Sequence, residues 1–300
     1  AMPLLENAGP VVVIDEFEAG LEPYRQRRFF GLLSSVLGNF GQAFVVSNSP
    51  VVLDEARKLS SPTWLFRTSE GWLSANVASL NLLNQLEQNL EALLCRYVVV
   101  CEGATEVGLL RVLLSAALDS DLDALGVVLV DGHGQPQALD LADRLLTSGL
   151  AFGAFLDNET KHPGRRATLL EAEGCDAAVW EKYTNIEDFL AWTSTPERLD
   201  GLVALAAELD SHRNSAHFYG DVRTALKSVE KVRAFEELFA NCGELEVRTA
   251  TSEVMGKGGG WFKREERGRA LAEHLRAQGL PADLEAMVEP LATAIRNLKS

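Results

Sequence analysis

The sequence is poor in the residues that build several common kinds of site. It has four cysteines in 300 residues, far apart and never in a CxxC pair, which excludes a zinc knuckle or a disulfide framework. No apolar run approaches the roughly 20 residues of a membrane-spanning helix. There is no GxSxG nucleophile elbow and no GxxxxGK[ST] phosphate-binding loop. We therefore expect a cytoplasmic protein without membrane contact, without serine-hydrolase chemistry and without ATP held by a loop of its own.

Positive charge is also scarce. The chain has 28 Lys and Arg against 43 Asp and Glu, a net charge of −15. This balance opposes nucleic-acid binding, which normally depends on Lys and Arg that neutralise phosphates. The objection weakens if carboxylates cluster where divalent cations mask them and bridge to phosphate oxygens. Basic stretches do exist, at Arg165-Arg166 and from Lys257 to Arg269, so charge alone leaves nucleic-acid binding open.

Apolar patterning predicts an α/β protein. Strand-like runs at 11–15 and 43–46 flank a segment with helical spacing at 24–37, which is a β-α-β unit. A turn and helix start follow at 47–50. We predict a small hairpin around Trp64 and Trp72 and an amphipathic linking helix over 80–94.

A second α/β series begins with YVVVC at Tyr97. Strands that alternate with helices favour a parallel sheet, and after Gly164 the pattern becomes mainly helical. We predict three regions, 1–80, 81–190 and 191–300. The predicted strands are 97–101, 126–130 and 151–156, and the predicted helices are 105–118, 138–146, 186–192, 199–209, 225–240 and 269–277.

Carboxylates follow the predicted strands at the points where they end. In VVVCEGATE the strand delivers Glu102 to its carboxyl end, Gly103 permits a sharp turn, and Glu106 begins the next helix. In AFGAFLDNET the strand ends at Asp157, with Glu159 two residues on. Ligand sites in parallel sheets lie at the carboxyl ends of strands, so these four groups are expected to lie close together.

A carboxylate cluster of this kind predicts divalent cations. Like charges so close repel and raise each other's pKa, and oxygen-only ligands favour Mg²⁺ or Mn²⁺ over zinc. Asp131 follows the strand GVVLV and could join the cluster, or could belong to a DGHG turn that only brings backbone near a substrate. Both interpretations of Asp131 stay open.

The combination of EGxxE, GVVLVDGHG and FLDNE resembles the Toprim domain of topoisomerases, bacterial primases and OLD-family nucleases over residues 95–190. Upstream, VVVIDEFEAGLEP resembles the Walker B segment of ABC-type ATPases, which would make Asp15 the Mg²⁺ partner and Glu16 the water-orienting base. An ABC-type ATPase tail followed by a Toprim domain resembles the domain arrangement of OLD-family endonucleases. Asn48 stands where the switch histidine would be, and without a Walker A loop we expect ATP to bind only in a longer protein.

Two downstream segments resemble the OLD pattern more loosely. In NIEDF, Glu187 is a further metal-ligand candidate, although a helix N-cap explains these residues almost as well. In GKGGGWFKR, Lys257 would be the basic residue that stabilises charge developing on a phosphate, and Lys263 is the alternative. A flexible surface loop is an equally good explanation of either lysine taken singly.

The function that the resemblance implies is a DNA endonuclease that uses two divalent cations. Metal binding would fall to Glu102, Glu106, Asp157, Glu159 and Glu187, with Lys257 completing the catalytic set and DNA as the partner. The alternatives are an ATP-gated assembly or sensor module that binds nucleic acid, and a ribonuclease toxin acting on RNA. ABC-type ATPases pair head to tail, so a homodimer is expected for a full-length protein.

Overall fold

The computed structural model describes residues 9–38, 41–58, 64–68, 71–75, 90–147, 150–158, 163–180, 182–227, 232–256 and 260–298. The chain divides into two compact units, residues 1–95 and 96–300. The division falls later than the boundary predicted near residue 80. Residues 96–190 of the second predicted region and the whole third region, 191–300, share one unit with a common core. Within the described ranges, none of the helices has the length and apolar composition needed to cross a bilayer.

The first unit contains the predicted β-α-β arrangement. Strands β1 (Val11–Ile14) and β2 (Gln42–Val45) pair in parallel, and helices α1 (Pro23–Leu37) and α2 (Pro50–Arg57) follow them in turn. The predicted hairpin is present as an antiparallel backbone pair, β3 (Trp64–Thr68) with β4 (Gly71–Ala75). Of the linking helix predicted over 80–94, the described part is a 3₁₀ turn, Leu90–Leu93.

The second unit is built on a parallel four-stranded sheet. Its strands are β5 (Tyr97–Cys101), β6 (Val127–Asp131), β7 (Phe152–Leu156) and β8 (Cys175–Val179), in the order β6-β5-β7-β8. Every residue of β5 and β7 is buried, because central strands of a parallel sheet are covered on both faces. The outer strand β8 is only partly buried. The predicted α/β class with a parallel sheet is confirmed.

Ten helices of the described residues complete this unit, in agreement with the predicted helix-rich second half. Helix α3 packs against α11, and α12 packs against both α3 and β8. Residues predicted as a single helix over 225–240 instead belong to two helices, because α8 ends at Ala225 and α9 begins at Phe235. The helices are α3 (Ala104–Leu118), α4 (Gln135–Thr147), α5 (Pro163–Glu171), α6 (Ile186–Thr193), α7 (Pro196–Glu208), α8 (Ser215–Ala225), α9 (Phe235–Cys242), α10 (Glu244–Gly256), α11 (Glu265–Ala277) and α12 (Ala282–Arg296).

Candidate active site

The strand register brings the predicted acidic residues to one edge of the sheet. Cys101 at the end of β5 lies opposite Asp131 on β6 and opposite Phe155 on β7. Glu102 and Asp157 come directly after β5 and β7. Because all of these strands run in parallel, their carboxyl ends meet at the same edge, where ligand sites of open α/β sheets form.

Backbone and side-chain hydrogen bonds fix Glu102 and Asp157 against each other. The backbone N–H of Asp157 donates to Glu102 Oε2 at 3.2 Å. The Gly134 N–H donates to the Glu102 carbonyl at 2.8 Å, and the Gln135 amide donates to the Asp157 carbonyl at 3.2 Å. The loop after β6 therefore positions both carboxylate-bearing segments, a role for Gln135 that no local sequence motif indicated.

Glu106 lies buried in the first turn of α3. A Cβ on Gly103 would stand 3.1 Å from Glu106 Oε2, so glycine leaves room for the carboxylate to fold over the start of the helix. Burial is the main cause that raises the pKa of Glu106, and the charge of Glu187 adds to it. The backbone N–H groups at the helix start and the Lys263 ammonium oppose this rise without cancelling it.

Asp157 is a buried carboxyl whose pKa is strongly shifted by its surroundings. Burial raises the pKa of its carboxyl well above the usual range, and the charges of Glu102, Glu106 and Glu187 raise it further. Its Oδ1 atom is buried and has no hydrogen-bond partner among the described residues. A buried carboxylate oxygen without a partner costs about 1–3 kcal/mol, so this group gains from a proton or a cation.

Glu187 enters the site from the first turn of α6, where Asn185 caps the helix by accepting a hydrogen bond from the Asp188 N–H. Its carboxylate is buried and forms an ion pair with Lys263, with 2.6 Å between Nζ and Oε1. The second oxygen, Oε2, is buried without a partner among the described residues. Asn185 thus caps the helix while Glu187 lies at the site, although from the sequence alone these two explanations of NIEDF were alternatives.

Among the described residues, Lys263 brings a basic group to the site. Burial disfavours its charged form, but the charges of Glu187, Glu106 and Asp157 outweigh this and raise its pKa. Its side chain keeps 41% of its surface exposed. The ammonium is therefore charged, held against the carboxylates and accessible from solvent.

The close packing of α3 against α11 brings Lys263 to the carboxylates. A Cβ on Gly268 would stand 2.2 Å from the Thr105 carbonyl oxygen, and a Cβ on Gly108 would stand 2.0 Å from the Glu265 carbonyl oxygen. The Thr105 hydroxyl also donates to the Phe262 carbonyl at 2.8 Å. These contacts join the segment that carries Glu106 to the segment that carries Lys263.

Other predicted site residues fall outside this arrangement. Glu159 and Lys257 lie outside the described residues. Asp131 accepts a 2.7 Å hydrogen bond from the His133 N–H, which is the geometry of a turn residue. Across the described ranges, no three Asp, Glu, His or Cys side chains stand close enough together to form a ready metal cage.

The predicted ATPase residues lie at the end of β1. Asp15 and Glu16 are exposed, and Asp15 Oδ1 accepts a hydrogen bond from the Glu16 N–H at 3.1 Å. The neighbouring Glu18 carboxylate accepts hydrogen bonds from the Ser47 hydroxyl at 2.5 Å and the Asn48 N–H at 2.8 Å. Glu18 therefore ties the end of β1 to the SNSP turn, a link that the sequence did not indicate.

Comparisons with known proteins give one family model and several solved structures. Residues 2–54 match the family model described as "AAA domain, putative AbiEii toxin, Type IV TA system". No curated protein matches the chain. Among solved structures, two C-terminal regions of OLD proteins are similar to it. The one from Xanthomonas campestris pv. campestris is 13% identical with a TM-score of 0.38, covering 69% of this chain and 96% of that one. The one from Burkholderia pseudomallei is 17% identical with a TM-score of 0.33, covering 68% and 98%.

These structures come from the family that the sequence motifs resemble. By its own parallel sheets and helices the chain is a mixed α/β protein. It is similar to C-terminal regions of OLD proteins and carries an AAA-like segment at residues 2–54.

Proposed function

We propose that this chain is a metal-dependent endonuclease that hydrolyses phosphodiester bonds in DNA. One observation carries the proposal. At the carboxyl edge of the sheet, Asp157 feels the charges of Glu102, Glu106 and Glu187, Lys263 pairs with Glu187, and two buried carboxylate oxygens have no partner within the described structure. A buried acidic cluster of this kind destabilises the fold unless cations neutralise it.

The residues present fit divalent cations. Asp157 Oδ1 and Glu187 Oε2 are buried acceptors that lack a donor among the described residues, and all the acidic groups offer oxygen ligands, which favour Mg²⁺ or Mn²⁺. Glu102, Glu106, Asp157 and Glu187 would hold the ions. Two divalent cations held there would supply activation of water and stabilisation of the leaving oxygen.

The protein groups have separate tasks in this proposal. Lys263 offers a charged, partly exposed ammonium that can approach a phosphate and stabilise the charge that develops on it. Glu106, whose pKa is raised by burial, is suited to accept a proton from the attacking water. Glu102 and Gln135 hold Asp157 in place through its N–H and its carbonyl.

Nicking of supercoiled plasmid in Mg²⁺ or Mn²⁺ tests the proposal. We expect cleavage by the wild-type protein and a loss of at least a hundredfold in Glu102→Ala, Asp157→Ala and Lys263→Ala, since removal of one electrostatic stabiliser typically costs about 10²–10³. Glu237→Ala, an exposed acidic position on α9, is the matched control and should cleave like wild type. Equal cleavage by all variants would reject the assignment.

Parallel incubations with RNA separate the two substrate classes. Preferential cleavage of RNA would replace DNA as the substrate and keep the centre. Binding of nucleic acid without cleavage in either metal would reject the enzyme and favour an assembly or sensor module.

A further inference from the structure

A cavity of about 500 Å³ lies at the outer edge of the sheet. The outer strand β8 forms its floor, and helices α5 and α12 form its two walls. Ala178, Leu170 and Met287 give these surfaces a mainly apolar lining. A volume of this size is within the range of small-ligand sites, which are mostly apolar with a few placed polar groups.

Polar groups of both signs line the same cavity. Arg166 is buried, with 6% of its surface exposed, and donates a hydrogen bond to Asn158 Oδ1 at 3.2 Å. Lys182 Nζ lies 3.7 Å from Asp283 Oδ1, and the Lys182 side chain is largely exposed whereas that of Asp283 is partly buried. Arg166 and Lys182 outnumber Asp283 in this lining, so the cavity favours a ligand with a negatively charged group.

Two chain segments connect the cavity to the acidic centre. Asn158 lines the cavity and is the next residue after Asp157. Tyr183 lines it as well, four residues before Glu187, and the Asn158 N–H donates to the Thr184 carbonyl at 2.7 Å. Residues that line the cavity are therefore next in the chain to residues of the acidic centre, and a backbone hydrogen bond joins the two segments.

We propose that this cavity receives one nucleobase of the strand that is cut, next to the bond that is hydrolysed. This inference rests on the proposed function. The base would leave its stack and enter the cavity, where the apolar walls contact its faces and the partly buried ring of Tyr183 offers a stacking surface. Asn158 and Asp283 supply groups that can pair with base edges, and Arg166 and Lys182 attract the adjoining phosphates.

Binding measurements with abasic oligonucleotides test this proposal without cleavage. Fluorescence anisotropy in EDTA compares a short single strand with a series in which one base at a time is replaced by an abasic site. Loss of a stacked base costs roughly tenfold in affinity. We expect one position of the series to lose about tenfold, and a flat series would overturn the proposal.

Variants that fill the cavity provide the second arm. Ala167 on α5 and Ala286 on α12 are exposed residues of the two walls, so tryptophan at either position can occupy the cavity without entering the core. Ala167→Trp and Ala286→Trp should each bind the complete strand about tenfold more weakly and become insensitive to the abasic position. Ala240→Trp, on the exposed surface of α9, is the control. Equal binding by the folded wall variants and this control would contradict the proposal.

Two further measurements separate the possible failures. Hydrolysis of bis(p-nitrophenyl) phosphate by the wild-type protein, a phosphodiester without a base, reports on the acidic centre alone, and its absence counts against the proposed function. Active enzyme with a flat abasic series counts against the cavity proposal only. Binding of free nucleoside monophosphates as tight as that of the strand would overturn the substrate base as the occupant.

Discussion

The buried carboxylate of Asp157 should make the metal-free protein less stable than a variant that lacks the charge. Asp157→Asn keeps the shape of the side chain and replaces an unpaired acceptor by an amide that can donate to the neighbouring carboxylates. Removing an unsatisfied buried oxygen is worth about 1–3 kcal/mol. For a domain of about 150–250 residues, each kcal/mol moves Tm by about 2–4 °C. We therefore expect Tm in EDTA to rise by roughly 3–10 °C.

Divalent cations should reverse the sign of this effect. Mg²⁺ that binds the folded wild-type centre stabilises it by about 2.7 kcal/mol at a hundred times Kd. Asp157→Asn lacks the ligand and should gain much less from the ion. Thermal melts followed by differential scanning fluorimetry, in EDTA and across a Mg²⁺ titration, measure both parts of the prediction.

The control is Glu237→Gln, the same kind of charge removal on the exposed surface of α9, where Tm should change little in either condition. A lower Tm for Asp157→Asn than for wild type in EDTA would refute the argument from burial. An equal Mg²⁺ shift in the two proteins would refute Asp157 as a metal ligand.

Three further predictions follow from the packing and the pKa shifts. Gly268→Ala should lower Tm, because the added methyl group overpacks α11 against Thr105 at a cost of about 1–3 kcal/mol. Gly220→Ala is the control, since this position has room for the methyl group. Equal melting temperatures of the two variants would contradict the close packing. Lys263→Met should lower the stability of the metal-free protein, because it leaves Glu187 buried and unpaired. Adding Glu187→Gln should restore much of the lost stability. Additive losses of stability in this double-mutant cycle would argue against the ion pair. Burial, with the charge of Asp176, raises the pKa of the Cys175 thiol from 9.0 to about 12. The unfolded chain therefore loses this proton at lower pH than the folded protein, and the free energy of unfolding should fall as pH rises from 9 to 12. Cys175→Ser should remove that part of the pH dependence in chemical denaturation, and an unchanged profile would count against the shift.

The sequence determined those features whose causes are local. The runs YVVVC and FGAFL are strands buried along their whole length, and continuous apolar runs indicate this directly. The run VVVI is also a strand, but Val11 and Val13 are exposed. The turn that carries Glu102 and Glu106 was also predicted from local residues. Because parallel strands end at one edge, the approach of Asp157 to Glu102 followed from topology as well.

Tertiary structure decided which distant groups complete the site. Lys263 pairs with Glu187 on α6, and the close packing of α3 against α11 holds the Lys263 segment beside the helix that carries Glu106. These contacts join segments far apart in the chain, so the local pattern of GKGGGWFKR does not indicate them. Gln135 likewise donates a hydrogen bond to the Asp157 carbonyl, a contact between residues far apart in the chain. The strand β8 was missed because an outer strand is only partly buried and CDAAV shows no continuous apolar run. Local patterning thus determined which carboxylates follow the ends of the strands, and long-range packing determined which side chains they contact.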